Sequence, residues 1–214
     1  MTPRELLTTG AEELGIALTP EQVNSLFIYL AELRKWNRRI NLTAIKGERD
    51  TVIKHVLDSL SYIKGFPPAP ELRLLDMGSG AGFPAIPIKI ACPSITVTLV
   101  ESTKKKASFL RHVVRMLPLG GAEIMDIRTE ELPASCRSAY DVVTARAFAD
   151  MNKAIAAGRG FLREGGLMVL SRGPEENITD QELAAAGVML NKKIELLLPH
   201  SDYKRVVWVF KKPE

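Results

Sequence analysis

The apolar positions change rhythm once along the chain. Up to about residue 65 they recur at helical spacing, and beyond it they gather into short runs separated by helical stretches. Val23, Leu26, Phe27, Leu30 and Leu33 mark one face of a helix that starts at Thr19-Pro20-Glu21-Gln22. A hydroxyl cap, a proline at the first helical position and a glutamine placed to close a capping box occur there together. Thr2-Pro3-Arg4-Glu5 has the same form and predicts an earlier helix. A third is predicted from about Asp50, with Val52, Ile53, Val56, Leu57 and Leu60 turned inward. Residues 1–66 therefore read as a helical extension, closed by the stiff linker Phe66-Pro67-Pro68-Ala69-Pro70.

From 71 to 214 the runs Leu72–Met77, Ile95–Val100, Ala122–Ile127, Tyr140–Ala145 and Leu167–Ser171 alternate with helical stretches. That is the pattern of a parallel sheet covered on both faces. One helix follows the second run, with Leu110, Val113, Val114 and Leu117 inward. Another is predicted over Met151 to Leu162, ending at Gly165-Gly166. After a helical stretch near Gln181–Ala186, the runs Val188–Leu198 and Arg205–Lys211 flank Pro199-His200-Ser201-Asp202-Tyr203 and predict a hairpin at the sheet's edge. The expected fold is α/β: a mostly parallel sheet with a C-terminal antiparallel hairpin, plus the helical extension.

Composition narrows the class without choosing the chemistry. With 46% hydrophobic and 25% charged residues the 214-residue chain is of globular type, neither disordered nor fibrous. No stretch is apolar for long enough to span a membrane, and the start carries acidic residues where a signal peptide has its apolar core, so a cytoplasmic location is expected. Cys92 and Cys136 lack metal or redox spacing, and His112 and His200 have no metal-ligand company, so no metal is expected. A net charge of +4 permits a polyanionic partner without requiring one. A monomer is the expected state.

The strongest local signal is Asp76-Met77-Gly78-Ser79-Gly80-Ala81-Gly82-Phe83, where an apolar strand ends and a helix begins. Glycines there let the backbone turn tightly and approach a ligand. Glu101, at the end of the next strand, is placed to accept hydrogen bonds from both hydroxyls of a ribose. Three features favour S-adenosylmethionine over a dinucleotide. The glycines lack the spacing that packs a pyrophosphate helix, Asp76 would repel a pyrophosphate but suits an ammonium and a sulfonium, and the chain ends in a hairpin instead of a second mononucleotide half. Gly78, Ser79, Gly80, Phe83 and Glu101 are the candidate cofactor contacts. Thr129 and Glu130, after the third strand, either border the adenine or simply start a capped turn.

The segment after the fourth strand, Thr144-Ala145-Arg146-Ala147-Phe148, faces the transferred methyl in this architecture. It has neither an Asn-Pro-Pro-Tyr motif for an exocyclic amine nor a cysteine to attack a pyrimidine. A ring nitrogen such as guanine N7 already owns a lone pair and needs positioning and desolvation more than a base. Arg146 could read a guanine edge or a phosphate, or else hold a carboxylate of the cofactor or of Glu130; Phe148 could stack on a base. Lys104, Lys105 and Lys106 begin a helix, where the dipole gives cations nothing, so they serve either a phosphate partner or a solvated face. Arg34, Lys35, Arg38 and Arg39, around Trp36, form either a second RNA-binding cluster or a well-capped helix end. Arg172 is a further phosphate candidate, and His55 and Asp58 stand three apart on one helical face, where they could pair.

Trp36-Asn37, Ile40-Asn41-Leu42-Thr43-Ala44-Ile45 and His55-Val56-Leu57-Asp58-Ser59-Leu60 resemble the amino-terminal signature of the glucose-inhibited division protein B family, the bacterial 16S ribosomal RNA guanine-N7 methyltransferases called RsmG. Leu75 to Pro84, Ile86-Pro87, Phe109-Leu110-Arg111 and Thr144 to Ala149 resemble the same family's core. The resemblance implies a Rossmann-like class I S-adenosylmethionine-dependent methyltransferase that acts at N7 of one guanine in the decoding region of 16S ribosomal RNA. It also implies cofactor contacts at Gly78, Phe83, Thr129, Glu130 and Arg146. Ala85 and Ser171-Arg172-Gly173 depart from the family pattern. Two rival readings stay open: a small-molecule methyltransferase of the same fold, and a non-catalytic assembly or division factor.

Overall fold

The structure, a computed structural model, describes residues 1–146 and 150–214. Both expected N-terminal helices are present, α1 over Pro3–Glu13 and α2 over Pro20–Asn37, each opened by a complete capping box from Thr2 with Glu5 or from Thr19 with Gln22. The third helix is not uniform. A turn of α-helix, α3 (Glu48–Thr51), widens into a π-helical segment, Val52–Leu57, then returns to α4 (Asp58–Ser61) and tightens to a 3-10 turn, Tyr62–Gly65. Ser59 Oγ donates to the carbonyl of His55 and Ser61 Oγ to that of Asp58, so buried hydroxyls engage carbonyls along the irregular stretch.

Seven strands follow: β1 (Arg73–Met77), β2 (Thr96–Val100), β3 (Ala122–Met125), β4 (Tyr140–Ala145), β5 (Leu162–Arg172), β6 (Met189–Leu197) and β7 (Lys204–Lys211). They form one sheet in the order β3-β2-β1-β4-β5-β7-β6, in which β1 to β5 pair in parallel and β7 runs antiparallel to both β5 and β6. The hairpin thus closes the edge, with its second strand inserted next to β5. Helices α5 (Ala85–Ala91), α6 (Lys104–Met116), α7 (Met151–Gly158) and α8 (Asp180–Ala186) complete the order.

Two predicted boundaries differ. The helix after the fourth strand stops at Gly158, and β5 starts at Leu162 and runs through Gly165-Gly166. These glycines form an irregularity within the strand: Tyr140 pairs with Leu162 but Val142 with Leu167. Gly165 has φ +71°, and a Cβ on Gly166 would lie 2.9 Å from the carbonyl oxygen of Arg163. Cys136 is buried beside Tyr140, whose hydroxyl points to its sulfur.

Side chains alternate across the sheet. One face joins Leu74, Val97, Val169, Val207 and Val209 in a single cluster with Leu6, Leu7, Leu26, Leu30 and Leu57 of the N-terminal helices. The other face, with Leu75, Met77, Val143 and Met168, packs against α7 and α8. The extension lies close against the sheet at Gly65, where a Cβ would meet Val169 Cγ1 at 2.7 Å and Val209 Cγ2 at 3.1 Å. Both valines are buried and branched, so neither can swing aside. Gly65→Ala is expected to destabilise the protein by about 1–3 kcal/mol through overpacking. A thermal melt unchanged from that of the parent protein would show that the contact yields freely.

Candidate cofactor and substrate site

The site lies at the carboxyl ends of β1, β2 and β4, where open α/β sheets bind ligands. The turn after β1 has positive φ at Gly78 (+65°), Gly80 (+58°) and Gly82 (+95°). At Gly82 a side chain is doubly excluded, since a Cβ would stand 2.6 Å from Ile86 Cγ1 and 3.0 Å from Leu110 Cδ2. At Gly78 nothing lies within 4 Å of that position, which leaves open space in front of the turn. The turn is fastened from three sides. Ser79 N donates to the carbonyl of Val100 and Ser79 Oγ to that of Asp76, Gly80 N donates to Glu101 Oε2 at 2.8 Å, and Tyr29 of α2 donates to the carbonyl of Ala81.

Gly78, Glu101, Thr129 and Glu130 line one open cleft of about 140 Å³, together with Ser102 and Arg128. The structure thus brings four of the sequence candidates to one wall. Thr129 and Glu130 do start a short 3-10 turn, Thr129–Glu131, and still line the cleft. Glu101 is buried, and its oxygens accept from the backbone N–H groups of Gly80 and Thr103. Each carboxylate oxygen can accept a second bond, which leaves capacity for ribose hydroxyls. Asp76 is fully buried, with Oδ1 accepting from the Thr144 hydroxyl at 2.9 Å and Oδ2 without a partner among the described residues. Burial pushes its pKa up to about 6. An orphaned carboxylate oxygen, a glycine turn facing open space and an acidic residue at the end of β2 fit a cofactor with a ribose and a cationic group.

Phe83 and Arg146 occupy a second part of the site. Phe83 is buried against the His55 ring, with centroids 4.4 Å apart and planes 14° from parallel, and the Arg146 guanidinium lies 4.9 Å from the Phe83 centroid. Arg146 donates to His55 Nδ1 at 3.0 Å, and its Nη1 lies 3.7 Å from Asp58 Oδ2. Asp58 Oδ1 accepts from Arg205 Nε at 2.9 Å and from the Ser171 hydroxyl. His55 and Asp58 therefore meet on Arg146. Burial, and then the adjacent guanidinium, lower the His55 pKa to about 3, so the ring is neutral. Arg172 is buried, with Nη1 donating to the carbonyl of Arg146, Nε near Glu176 and Nη2 unpartnered among the described residues.

The remaining candidates are on the surface. Lys104 and Lys105 are exposed and Lys106 half-buried at the start of α6, three residues beyond Glu101. Arg34 pairs with Glu48 at 3.2 Å and Lys35 with Glu32 at 3.4 Å, while Arg38 and Arg39 are exposed. Trp36 is half-buried against Phe109 and His112. Phe148 lies outside the described residues. Sequence reasoning missed Arg205, which reaches Asp58 across 147 positions with no local signal, and the role of Thr43, whose hydroxyl contacts His55. Among the described residues no cluster suited to a metal occurs, and no helix is long and apolar enough to cross a membrane.

This strand order, with a glycine turn after β1 and an acidic residue after β2, defines a Rossmann-like methyltransferase fold. It is similar to that of the cyclase SpnF (TM-score 0.62, 15% identity, covering 92% of this chain and 98% of that one). It is also similar to an S-adenosylmethionine-dependent methyltransferase from Aquifex aeolicus (TM-score 0.56, 14% identity, 75% and 92% covered). The GidB family, described as rRNA small subunit methyltransferase G, matches residues 22–206, and the chain belongs to it. Ribosomal RNA small subunit methyltransferase G of Alkaliphilus oremlandii is 38% identical over 218 residues (99% of this chain, 91% of the relative). The protein of the same name from Geotalea uraniireducens is 38% identical over 215 residues (99% and 97%).

Asp76 gives cofactor binding a pH dependence of defined sign. A cationic ligand favours the ionised carboxylate, and the free protein takes up a proton there as pH falls through about 6. Affinity for S-adenosylmethionine is therefore expected to be about tenfold weaker at pH 5 than at pH 7. Asp76→Asn should flatten that dependence in a calorimetric titration. A parent protein that binds equally well at both pH values would dissociate Asp76 from the ligand's charge.

Proposed function

We propose that the chain transfers a methyl group from S-adenosylmethionine to N7 of a guanine in the decoding region of 16S ribosomal RNA, in the cytoplasm and as a monomer. The observation that carries the reading is a fixed cation whose described partners, His55 and Asp58, are both already engaged. His55 accepts from Arg146 at Nδ1 and contacts Thr43 through Nε2, and both oxygens of Asp58 face arginines. Among the described residues that hold Arg146, neither His55 nor Asp58 is free to take a proton from an acceptor that must lose one before reacting. A ring nitrogen with its own lone pair needs no such group.

When bound, S-adenosylmethionine supplies an electrophilic methyl group on a sulfonium centre. The protein's part is to hold and orient. In this reading Gly78, Ser79, Gly80 and Phe83 shape the seat, Glu101 takes the ribose hydroxyls, and Thr129 and Glu130 border the adenine. Arg146, held by His55 and Asp58, points its remaining N–H groups at the O6 and N7 edge, the pairing that suits a guanidinium and guanine. Phe148, two positions on, stacks on the base. Lys104, Lys105, Lys106 and Arg172, with Arg34, Lys35, Arg38 and Arg39, are the phosphate contacts, and the extension contributes to recognition of RNA shape.

The test is transfer of labelled methyl to small-subunit RNA and 30S particles from cells lacking this protein, followed by nucleoside mass spectrometry. Label recovered as 7-methylguanosine at a single position is expected. Label absent from both substrates, despite cofactor binding, would overturn the reading. Arg146→Lys keeps the charge but loses the planar fork, and should lower kcat/KM by about 100-fold.

A further inference from the structure

The four cations at the end of α2 do not form one patch. Lys35 and Arg39 border a small apolar hollow of about 160 Å³ with Trp36 and Ile40. Arg34 and Arg38 line a separate pocket of about 370 Å³, and Lys46, from the segment that follows, lines it too. Arg34 is engaged by Glu48 at 3.2 Å. Among the described residues Arg38 and Lys46 make no ion pair, and both are exposed.

Thr43 lines the same pocket and carries a donor with no acceptor. Because His55 Nδ1 accepts from Arg146, the single proton of the neutral ring is on Nε2, and that N–H donates to Thr43 Oγ1 at 2.7 Å. The backbone N–H of Ile45 donates to the same oxygen at 3.1 Å. Both lone pairs of Oγ1 are occupied, and among the described residues its own O–H meets no acceptor. The neighbouring polar groups are already engaged: Asn37 binds the backbone of Leu42 and Thr43, and the Thr51 hydroxyl donates to the carbonyl of Gly47. What the pocket still offers is two unpaired cations and one hydroxyl donor, which is the chemistry of an oxyanion site.

We infer that this pocket binds a phosphate of the RNA strand close to the target guanine, an inference that rests on the ribosomal RNA reading above. Arg38 and Lys46 supply the charge and Thr43 the oriented hydrogen bond. Thr43 is two hydrogen bonds from Arg146, with the His55 ring between them. A phosphate held at Thr43 thereby fixes the imidazole against which the guanidinium is set. Thr43 and His55 are positioning residues: they act on the base through Arg146.

Methylation of small subunits from cells lacking this protein, measured over a range of salt, tests the pocket. Arg38→Gln with Lys46→Gln is expected to raise KM about tenfold and to reduce the slope of log affinity against log salt by about 1, the contribution of one phosphate. The loss should exceed that from Lys35→Gln with Arg39→Gln at least fivefold. Thr43→Val should lower kcat about tenfold and Thr43→Ser should restore it, since serine keeps the hydroxyl. Cofactor affinity measured without RNA reports whether each variant is folded; if Thr43→Val is not, the comparison of the two cation pairs decides. Equal weakening by the two pairs would overturn the pocket, and an unchanged kcat in a folded Thr43→Val would overturn the link to Arg146. If the unaltered protein methylates no subunit, the functional reading fails and the pocket with it. If it does and the pairs match, the pocket alone fails.

Discussion

A guanidinium withdrawn from water has to be partnered, and Arg146, with its side chain only 24% exposed, sets that demand at the carboxyl end of β4. Its partners come from outside the sheet's alternating core. His55 and Asp58 are on the third helix of the extension, Asp58 is balanced in turn by Arg205 on β7, and the carbonyl of Arg146 accepts from Arg172 at the end of β5. The extension and the sheet are thereby joined through polar contacts as well as through the apolar cluster that unites Leu57 with Val169. Apolar contact can tolerate small slips, whereas a buried ion pair that loses a partner costs several kcal/mol. The polar chain fixes the register of the two parts.

The glycine turn is set by a comparable constraint of opposite sign. Asp76 is a carboxylate where water cannot follow, and that burial raises its affinity for a proton. As pH rises from the ordinary carboxylate range of about 4 to about 6, the ligand-free fold loses stability at this residue, because its ionised form is the costly one. His55 runs the other way, since it resists protonation and costs stability as pH falls below the ordinary histidine value of 6.5. Between about 4 and 6 the two oppose each other, so a weak net dependence there conceals two strong ones.

The sequence shows the parts whose chemistry is local. The capping boxes at Thr2 and Thr19, the strand runs and the Gly78 to Gly82 turn each carry their signal within a few residues, and each appears in the structure. Gly165-Gly166 misled because a glycine pair stops a helix and bulges a strand equally well, and only the register with β4 separates the two. The Arg146 seat was illegible as a unit. Its members stand at positions 43, 55, 58, 146 and 205, and nothing in charge or spacing announces that residues so far apart share one chain of hydrogen bonds. The basic cluster at 34–39 was visible as charge, but its division between two hollows depends on which side of α2 each side chain leaves.

The wide turn Val52–Leu57 has a bearing on what kinds of change this gene can absorb. A π-helical turn holds one residue more than the α-helical path between the same ends, so a single-residue deletion there would let the segment relax to ordinary α-helix with its flanks close to their present orientation. The same loss in regular α-helix rotates everything beyond it by about 100°. Thr51 and Asp58 would stay in place, and the cost would fall on the packing of the side chains between them. At this point the chain can absorb a change of length that the regular helices α2 and α6 could not.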